Sequence, residues 1–281
     1  EARMLRQRVI TALILAVALI AALLFAPYPA QAMLFAAVAA AGGWEWAALV
    51  GAQVAFSRTA YAAVIPLLCG ALWMGLALDG PEAALHARPW LAAAALLWSA
   101  MLVGLKYYSA GRGVWGYLWV RAVMGWLMLT ATWLAVTVCL TLINGPFVVF
   151  LLILTVAAAD IGAYFAGRRF GQHALAAEIS PAKTWEGFWG GMLCVALLAT
   201  LIWQNLPLSQ LHLGWGSLMV LGLATAGASV VGDLTVSLLK REVGLKDSGS
   251  LLPGHGGLMD RLDSICGAAP VFALGLLLIG Y

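Results

Sequence analysis

The sequence predicts an all-α polytopic membrane protein of about nine transmembrane helices, with the N-terminus cytoplasmic and the C-terminus outside. Three observations lead there. Apolar residues make up 64% of the chain and charged residues 10%, whereas a soluble domain carries about 25% charged and about 45–50% apolar residues. With a mean hydropathy of +0.97, the exterior must face lipid over most of its area. Apolar runs close to the ~20 residues needed to cross a hydrocarbon core follow one another with short breaks, and the basic residues gather in alternate breaks.

The runs lie near 9–27, 31–50, 60–78, 89–105, 118–142, 146–167, 187–205, 213–238 and 265–281. Met4 reads as a natural start. The first run lacks a small-residue cleavage site, so it reads as a retained helix rather than a removed signal. Pro27-Tyr28-Pro29, Gly80-Pro81 and Gly145-Pro146 mark turns between runs. Trp90, Trp115, Tyr117 and Trp203 fall near run ends, as interface anchors do. Gly42-Gly43 and Gly190-Gly191 suit close helix packing. Arg3, Arg6 and Arg8 fall on one side, with Arg58, Lys106, Arg112, Arg121, Arg168, Arg169, Lys183, Lys240, Arg241, Lys246 and Arg261. Arg88 alone falls on the other, near Asp79 and Glu82. The positive-inside rule sets the orientation from that bias. The net charge of +3 is too small to imply nucleic-acid binding. Cys69, Cys139, Cys194 and Cys266 are dispersed in or beside apolar runs and read as packing residues.

Residues 1–145 carry little chemistry and form a packing scaffold; residues 146–281 form the catalytic part. Within the first part, Glu45 stands out because an acid inside a span is costly. A structural hydrogen bond to a neighbouring helix is favoured for it over catalysis. In the second part, three polar segments are brought by the topology to one membrane face. In AADIGAYFAGRRFG, Asp160 sits about two turns from the cytoplasmic end of its span, either on an ion path or in contact with metal or nucleotide; Arg168 and Arg169 either attract anionic headgroups or fix orientation. ISPAKTWEG reads as a loop in which Ser180-Pro181 is a turn or helix-start signal. Lys183 and Thr184 there are either phosphate donors or a capped helix start with a snorkelling lysine.

The third segment is GDLTVSLLKREVGLKDSGSLLPGHGGLMDRLDS. Asp233, Ser237 and Lys240 recur at i, i+4 and i+7, on one helical stripe, and an acid at that depth requires a cation, a metal or a hydrogen-bonding network. Gly249, Gly254, Gly256 and Gly257 let backbone N–H groups approach an anion; His255 either donates to a phosphate or orders the turn. Asp260 and Asp263, at i and i+3, share a helix face, with Arg261 alongside. Carboxylates converging with Lys and Arg are what metal-assisted phosphoryl or nucleotidyl transfer needs. A phosphate nucleophile, already anionic, requires no general base. Mutual neutralisation at a solvated loop would account for one such pair, but not for this density beside an embedded Asp233. His86, His173 and His212 read as ordinary loop or interface residues without partners.

Ser237-Leu-Leu-Lys240-Arg241, Lys246-Asp247, Pro253-Gly-His255-Gly-Gly and Asp260-Arg261-Leu-Asp263 together closely resemble the signature of phosphatidate cytidylyltransferases. AADIGAYFAGRRFG and ISPAKTWEG are similar to that family's other characteristic segments, in the same order. Ala182 departs from the pattern, which has a second lysine there. The resemblance implies a polytopic homodimer of the bacterial inner membrane that converts CTP and phosphatidic acid to CDP-diacylglycerol and pyrophosphate. It implies Mg²⁺, with Asp233 and Asp260 at the metal, and allows a second, monovalent cation such as K⁺. The expected catalytic residues are Lys183, Lys240, His255, Arg261 and Asp263. Those expected to bind substrate are Asp160, Arg168, Ser180, Thr184, Ser237, Arg241, Lys246, Gly256 and Gly257. A transporter using Asp160, Asp233 and Glu45 as an ion path is the rival from another class; it expects two similar halves with midplane acids. A CDP-alcohol phosphotransferase expects a DGxxAR-type motif, which the chain lacks. A lipid kinase would release a nucleoside diphosphate instead of pyrophosphate.

Overall fold

Each apolar run becomes a helix because lipid offers the backbone no hydrogen bonds, and a helix satisfies its own. The computed structural model describes residues 2–51, 54–108, 113–206, 213–252 and 256–281, and among these it has nine α-helices. They are α1 (Ala2–Phe25), α2 (Tyr28–Trp46), α3 (Ala55–Gly75), α4 (Ala83–Lys106), α5 (Leu118–Thr141), α6 (Gly145–Phe170), α7 (Trp185–Asn205), α8 (Trp215–Glu242) and α9 (Met259–Leu278). Seven, α3 to α9, are long and apolar enough to cross a membrane; α1 offers a shorter apolar stretch, Ile10–Phe25. Each predicted run has its helix, but the ends differ. The fourth helix begins at Ala83 rather than near 89, and the last at Met259 rather than near 265, because His86 and Arg88 in the one and Asp260, Arg261 and Asp263 in the other lower the hydropathy of their opening turns.

Helix α5 is the centre of the bundle, buried along most of its length and packed on α2, α3, α4, α6 and α9. Across these contacts, amphipathic side chains of α5 and of its neighbours place their polar tips on backbone carbonyls of the facing helix. Trp46 Nε1 donates to Arg121 O at 2.9 Å, Tyr61 Oη to Ala122 O at 2.7 Å, and Trp133 Nε1 to Ala32 O at 2.9 Å. At the opposite end of α1, Gln31 Nε2 donates to Ala22 O and Leu23 O, satisfying carbonyls that a helix C-terminus leaves open.

Helices α6 and α7 form one close pair, and α8 and α9 another. On α7, Gly187, Gly191, Val195 and Ala199 are buried at i, i+4 spacing. The other face carries Trp189, Leu193, Leu197 and Leu201, each more than half exposed. A regular, outward-facing apolar stripe of this size belongs against lipid. Small residues let the backbones approach: a Cβ on Gly191 would lie 2.7 Å from Ala159 O. Gly191→Leu should therefore destabilise the protein by about 1–3 kcal/mol through overpacking, read as a lower thermal midpoint in detergent. Gly70→Ala, where nothing lies within 4 Å, should cause no loss.

A correction concerns the segment before α7. Ser180–Thr184 is not a loop or a helix start but strand β2, paired antiparallel with β1 (Ala174–Ala176). Helix α7 begins only at Trp185, with Thr184 as its N-cap, the Oγ1 accepting from Gly187 N at 3.1 Å. The hairpin is fastened to the helix by Glu186, which accepts from Gln172 N and His173 N and meets His173 Nδ1 at 2.6 Å.

Candidate active site

Helices α6 and α8 end where α7 and α9 begin, so the three polar segments meet at one end of the bundle. Lys183, near the end of β2, forms an ion pair with Asp233 on α8. Asp233 Oδ1 also accepts from Ser237 Oγ at 3.2 Å, the i, i+4 contact that the spacing predicts. Arg241 Nε donates to Ile179 O at 3.2 Å, tying the end of α8 to the turn before β2. Lys240 reaches across to α9, where its Nζ lies 2.7 Å from Asp260 Oδ1, both side chains nearly buried. Ser248 N and Gly257 N donate to Asp260 Oδ2 at 3.1 and 3.2 Å. Asp260 thus sits among donors, one ammonium and two amides.

Asp233 is the hub of the remaining acids. It lies within electrostatic reach of Asp160 and of Asp263, as Lys183 does. Arg261 acts on Asp160 and Lys240 on Asp263. Asp263 is buried, with Oδ1 accepting from Ser264 N at 2.7 Å. Gly232 and Gly267 let α8 and α9 touch beside these acids: a Cβ on Gly232 would lie 2.8 Å from Gly267 N. That close approach brings Asp233 and Asp263 together from two helices.

Of these groups, Asp160, Lys183 and Asp233 line a cavity of about 490 Å³, whose wall also includes Arg168, Ser180 and Thr184. Its wall residues Leu175, Phe188 and Val230 also line an apolar groove of about 390 Å³ between α4, α7 and α8. The polar cavity and the apolar groove therefore lie side by side, with these three residues as their common wall. Arg168, at the rim, donates to Tyr164 Oη at 3.0 Å. Among the described residues, no three His, Cys, Asp or Glu side chains close into a metal-binding group.

Comparison with known proteins identifies the family of the chain. The profile of the cytidylyltransferase family matches residues 6–279. The chain belongs to the cytidylyltransferase family. Among relatives within the family, it is 40% identical to the phosphatidate cytidylyltransferase of Pseudomonas aeruginosa, over 99% of both chains. It is 34% identical to that of Haemophilus influenzae, over 96% of this chain and 98% of the relative.

The structure thus gathers most of the residues expected for a cytidylyltransferase. Asp160, Lys183, Asp233, Ser237, Lys240, Asp260, Arg261 and Asp263 come together, with Arg168, Ser180 and Thr184 on the cavity wall. Arg241 and Lys246 are exposed and outside that wall, the former bracing the hairpin. Gly256 has φ +85°, open to glycine at little cost, and its carbonyl accepts from Leu252 N at 3.0 Å. Gly257 is buried against Asp260. His255 lies outside the described residues, as does His212. The expectation that His86 and His173 lack partners is corrected: His86 Nδ1 meets Leu76 O at 3.1 Å, and His173 pairs with Glu186. Glu45 does make structural hydrogen bonds, but to the loop before α9 and to the first amide of α9 itself. Sequence reasoning placed neither Ser248 nor that loop at Glu45. The signal available was Gly249 and Gly257, small where Glu45 needs room.

Proposed function

We propose that this chain transfers the cytidylyl group of CTP to phosphatidic acid, forming CDP-diacylglycerol and pyrophosphate at the cytoplasmic face of a bacterial inner membrane. The observation that carries the reading is the pairing of two hollows: a polar cavity lined by acids and a lysine, and an apolar groove that shares Leu175, Phe188 and Val230 with it. A lipid phosphate is amphipathic in the same sense, and a water-soluble nucleotide needs only the polar part. The names of the relatives support the same substrates. The basic bias of the loops supports nine spans with the N-terminus inside. Residues 1–145 are proposed as the packing and homodimer scaffold, and 146–281 as the catalytic part.

In this mechanism an oxygen of the lipid phosphate attacks the α-phosphorus of CTP in line. The new P–O bond forms as the bond from the α-phosphorus to the bridging oxygen of the β-phosphate breaks, and pyrophosphate leaves with that electron pair. The nucleophile is already anionic, so no side chain takes a proton. Lys183 exchanges its Asp233 partner for a phosphate oxygen and stabilises charge as pyrophosphate departs. Arg168 draws the lipid headgroup to the rim, and Arg261 adds positive charge beside Asp160. Lys240 holds Asp260, and Asp263 balances the cations around Asp233. Ser180, Thr184, Ser237, Arg241, Lys246, Gly256, Gly257 and His255 are proposed to order the hairpin and loop around the phosphates.

The acids fit a hard cation, since Mg²⁺ takes few protein carboxylates and keeps water and substrate phosphates as its other ligands. Asp233 and Asp260 would hold it, with Asp263 and Asp160 completing the set or serving a second, monovalent cation such as K⁺. The chemistry that such a cation would supply there is Lewis-acid neutralisation of nucleotide phosphate charge.

Purified protein in detergent–lipid micelles, given CTP and phosphatidic acid, should release pyrophosphate and CDP-diacylglycerol in equal amounts. Release of a nucleoside diphosphate would instead indicate a kinase. Silence from folded protein, across several divalent cations and lipids, would sink the reading.

A further inference from the structure

Glu45 is fully buried on the last turn of α2, outside the transfer mechanism given above. Burying a carboxyl in apolar surroundings is costly unless its oxygens are satisfied. They are satisfied from residues 203 to 214 positions further along the chain: Ser248 Oγ donates to Oε2 at 3.3 Å, Leu251 N to Oε1 at 3.1 Å, and Met259 N to Oε2 at 2.8 Å. The loop is shaped to receive it. A Cβ at Gly249 would collide with the Glu45 carboxyl, and one at Gly257 would lie 2.7 Å from Oε2.

Met259 N is the first amide of α9, one of the donors that a helix N-terminus leaves open. The residue before it, Leu258, supplies no side-chain cap. Glu45 supplies one from another helix, and its acceptor oxygens suit the positive end of the α9 dipole. The same loop is held from the other side by Asp260, through Ser248 N and Gly257 N. The first turns of α9 carry Asp260, which holds Lys240; Arg261, within reach of Asp160; and Asp263, within reach of Asp233.

We propose that Glu45 is a positioning residue for the transfer reaction: reaching from α2, it caps α9 and pins Ser248 and Leu251, which sets where Asp260, Arg261 and Asp263 stand against Asp233 and Lys183. The inference deepens the cytidylyltransferase reading and rests on it. It also gives the first part of the chain a direct hold on the site in the second.

The test compares Glu45→Ala, Glu45→Gln and Gly249→Ala with the parent, with kinetics expressed per folded molecule in the monodisperse fraction. A displacement of ~1 Å can cost ~10²-fold in rate, so Glu45→Ala should lower kcat about 100-fold. Glu45→Gln keeps one carbonyl acceptor and should lower kcat about tenfold. The KM for either substrate should stay within about twofold, since neither touches Glu45. Gly249→Ala should impair the parent, yet add little to Glu45→Ala, because the colliding carboxyl is gone. Amide exchange at Leu251 and Met259 should quicken in both Glu45 variants, whether or not turnover is measured. Should Glu45→Ala fail to fold, Glu45→Gln decides. Unchanged kcat per folded molecule, or a loss confined to KM, overturns the positioning role, and unchanged amide exchange overturns the clamp. An inactive parent with quickened exchange in the variants would overturn the transferase reading and leave the clamp standing.

Discussion

Asp233→Asn should lower turnover by roughly 10³-fold while leaving the protein folded. The substitution is nearly isosteric and keeps an oxygen for Ser237 Oγ, which now lies 3.2 Å away. What it removes is the negative charge opposite Lys183. Both side chains of that pair are about a quarter exposed, at 27%, so water in the cavity moderates the cost of an unpaired Lys183, and the penalty stays below that of breaking a fully buried pair. The kinetic signature is specific. Asp233→Asn removes negative charge from a cavity that receives polyanions, so the KM for CTP should not rise even as kcat collapses. Lys183→Met should show the opposite split, with a higher KM for CTP and a kcat lower by about 10²-fold. Because the two residues share one ion pair, the double variant should lose less than the sum of the single losses. Pyrophosphate release at varied CTP reads all of this. Near-parental kcat in Asp233→Asn would remove Asp233 from the chemistry.

Much of this site follows from local spacing. The i, i+4, i+7 stripe of Asp233, Ser237 and Lys240, and the Asp260–Asp263 pair, are legible because helix geometry converts separation in sequence into separation in space. The Asp233–Ser237 contact is of that kind. Ion pairs across elements were not legible, because nothing local selects Asp233 for Lys183 or Asp260 for Lys240. Lys240 shows the difference: its place on the stripe was right, but its long side chain leaves that helix for α9. The hairpin escaped because Ala174–Ala176 and Ser180–Thr184 are short, lack β-branched alternation and contain Pro181, a residue that reads as punctuation. Its fastening, Glu186 to His173, spans 13 residues with no period to reveal it. Glu45 was visible as an anomaly, an acid within an apolar run, but its partners lie more than 200 residues away. The helices were legible almost entirely, since the requirement to satisfy the backbone in lipid leaves them little alternative. Their first turns were not, where capping and charge override hydropathy, as at Met259.

Stripping divalent cations from the purified protein should abolish pyrophosphate release, and Mg²⁺ should restore it. The argument is one of charge. Lys240 is held by Asp260 and Lys183 by Asp233, which leaves Asp160 on the cavity wall with Arg261 near it, and Asp263 buried within reach of Asp233. A triphosphate and a lipid phosphate then bring several further negative charges to the same cavity. Two like charges 4 Å apart at an effective dielectric of 20 repel by about 4 kcal/mol, which is roughly a thousandfold in rate for each uncompensated pair. Lys183, Arg168 and Arg261 cannot offset that sum and also stabilise the departing pyrophosphate. A divalent cation held among the carboxylates would offset that repulsion. The dependence should also be graded: Asp233→Asn and Asp263→Asn should each require more Mg²⁺ for half-maximal residual activity. Full turnover in metal-free protein would leave lysine and arginine carrying the phosphate charge alone, and would recast Asp233 as the anchor that holds Lys183 in place.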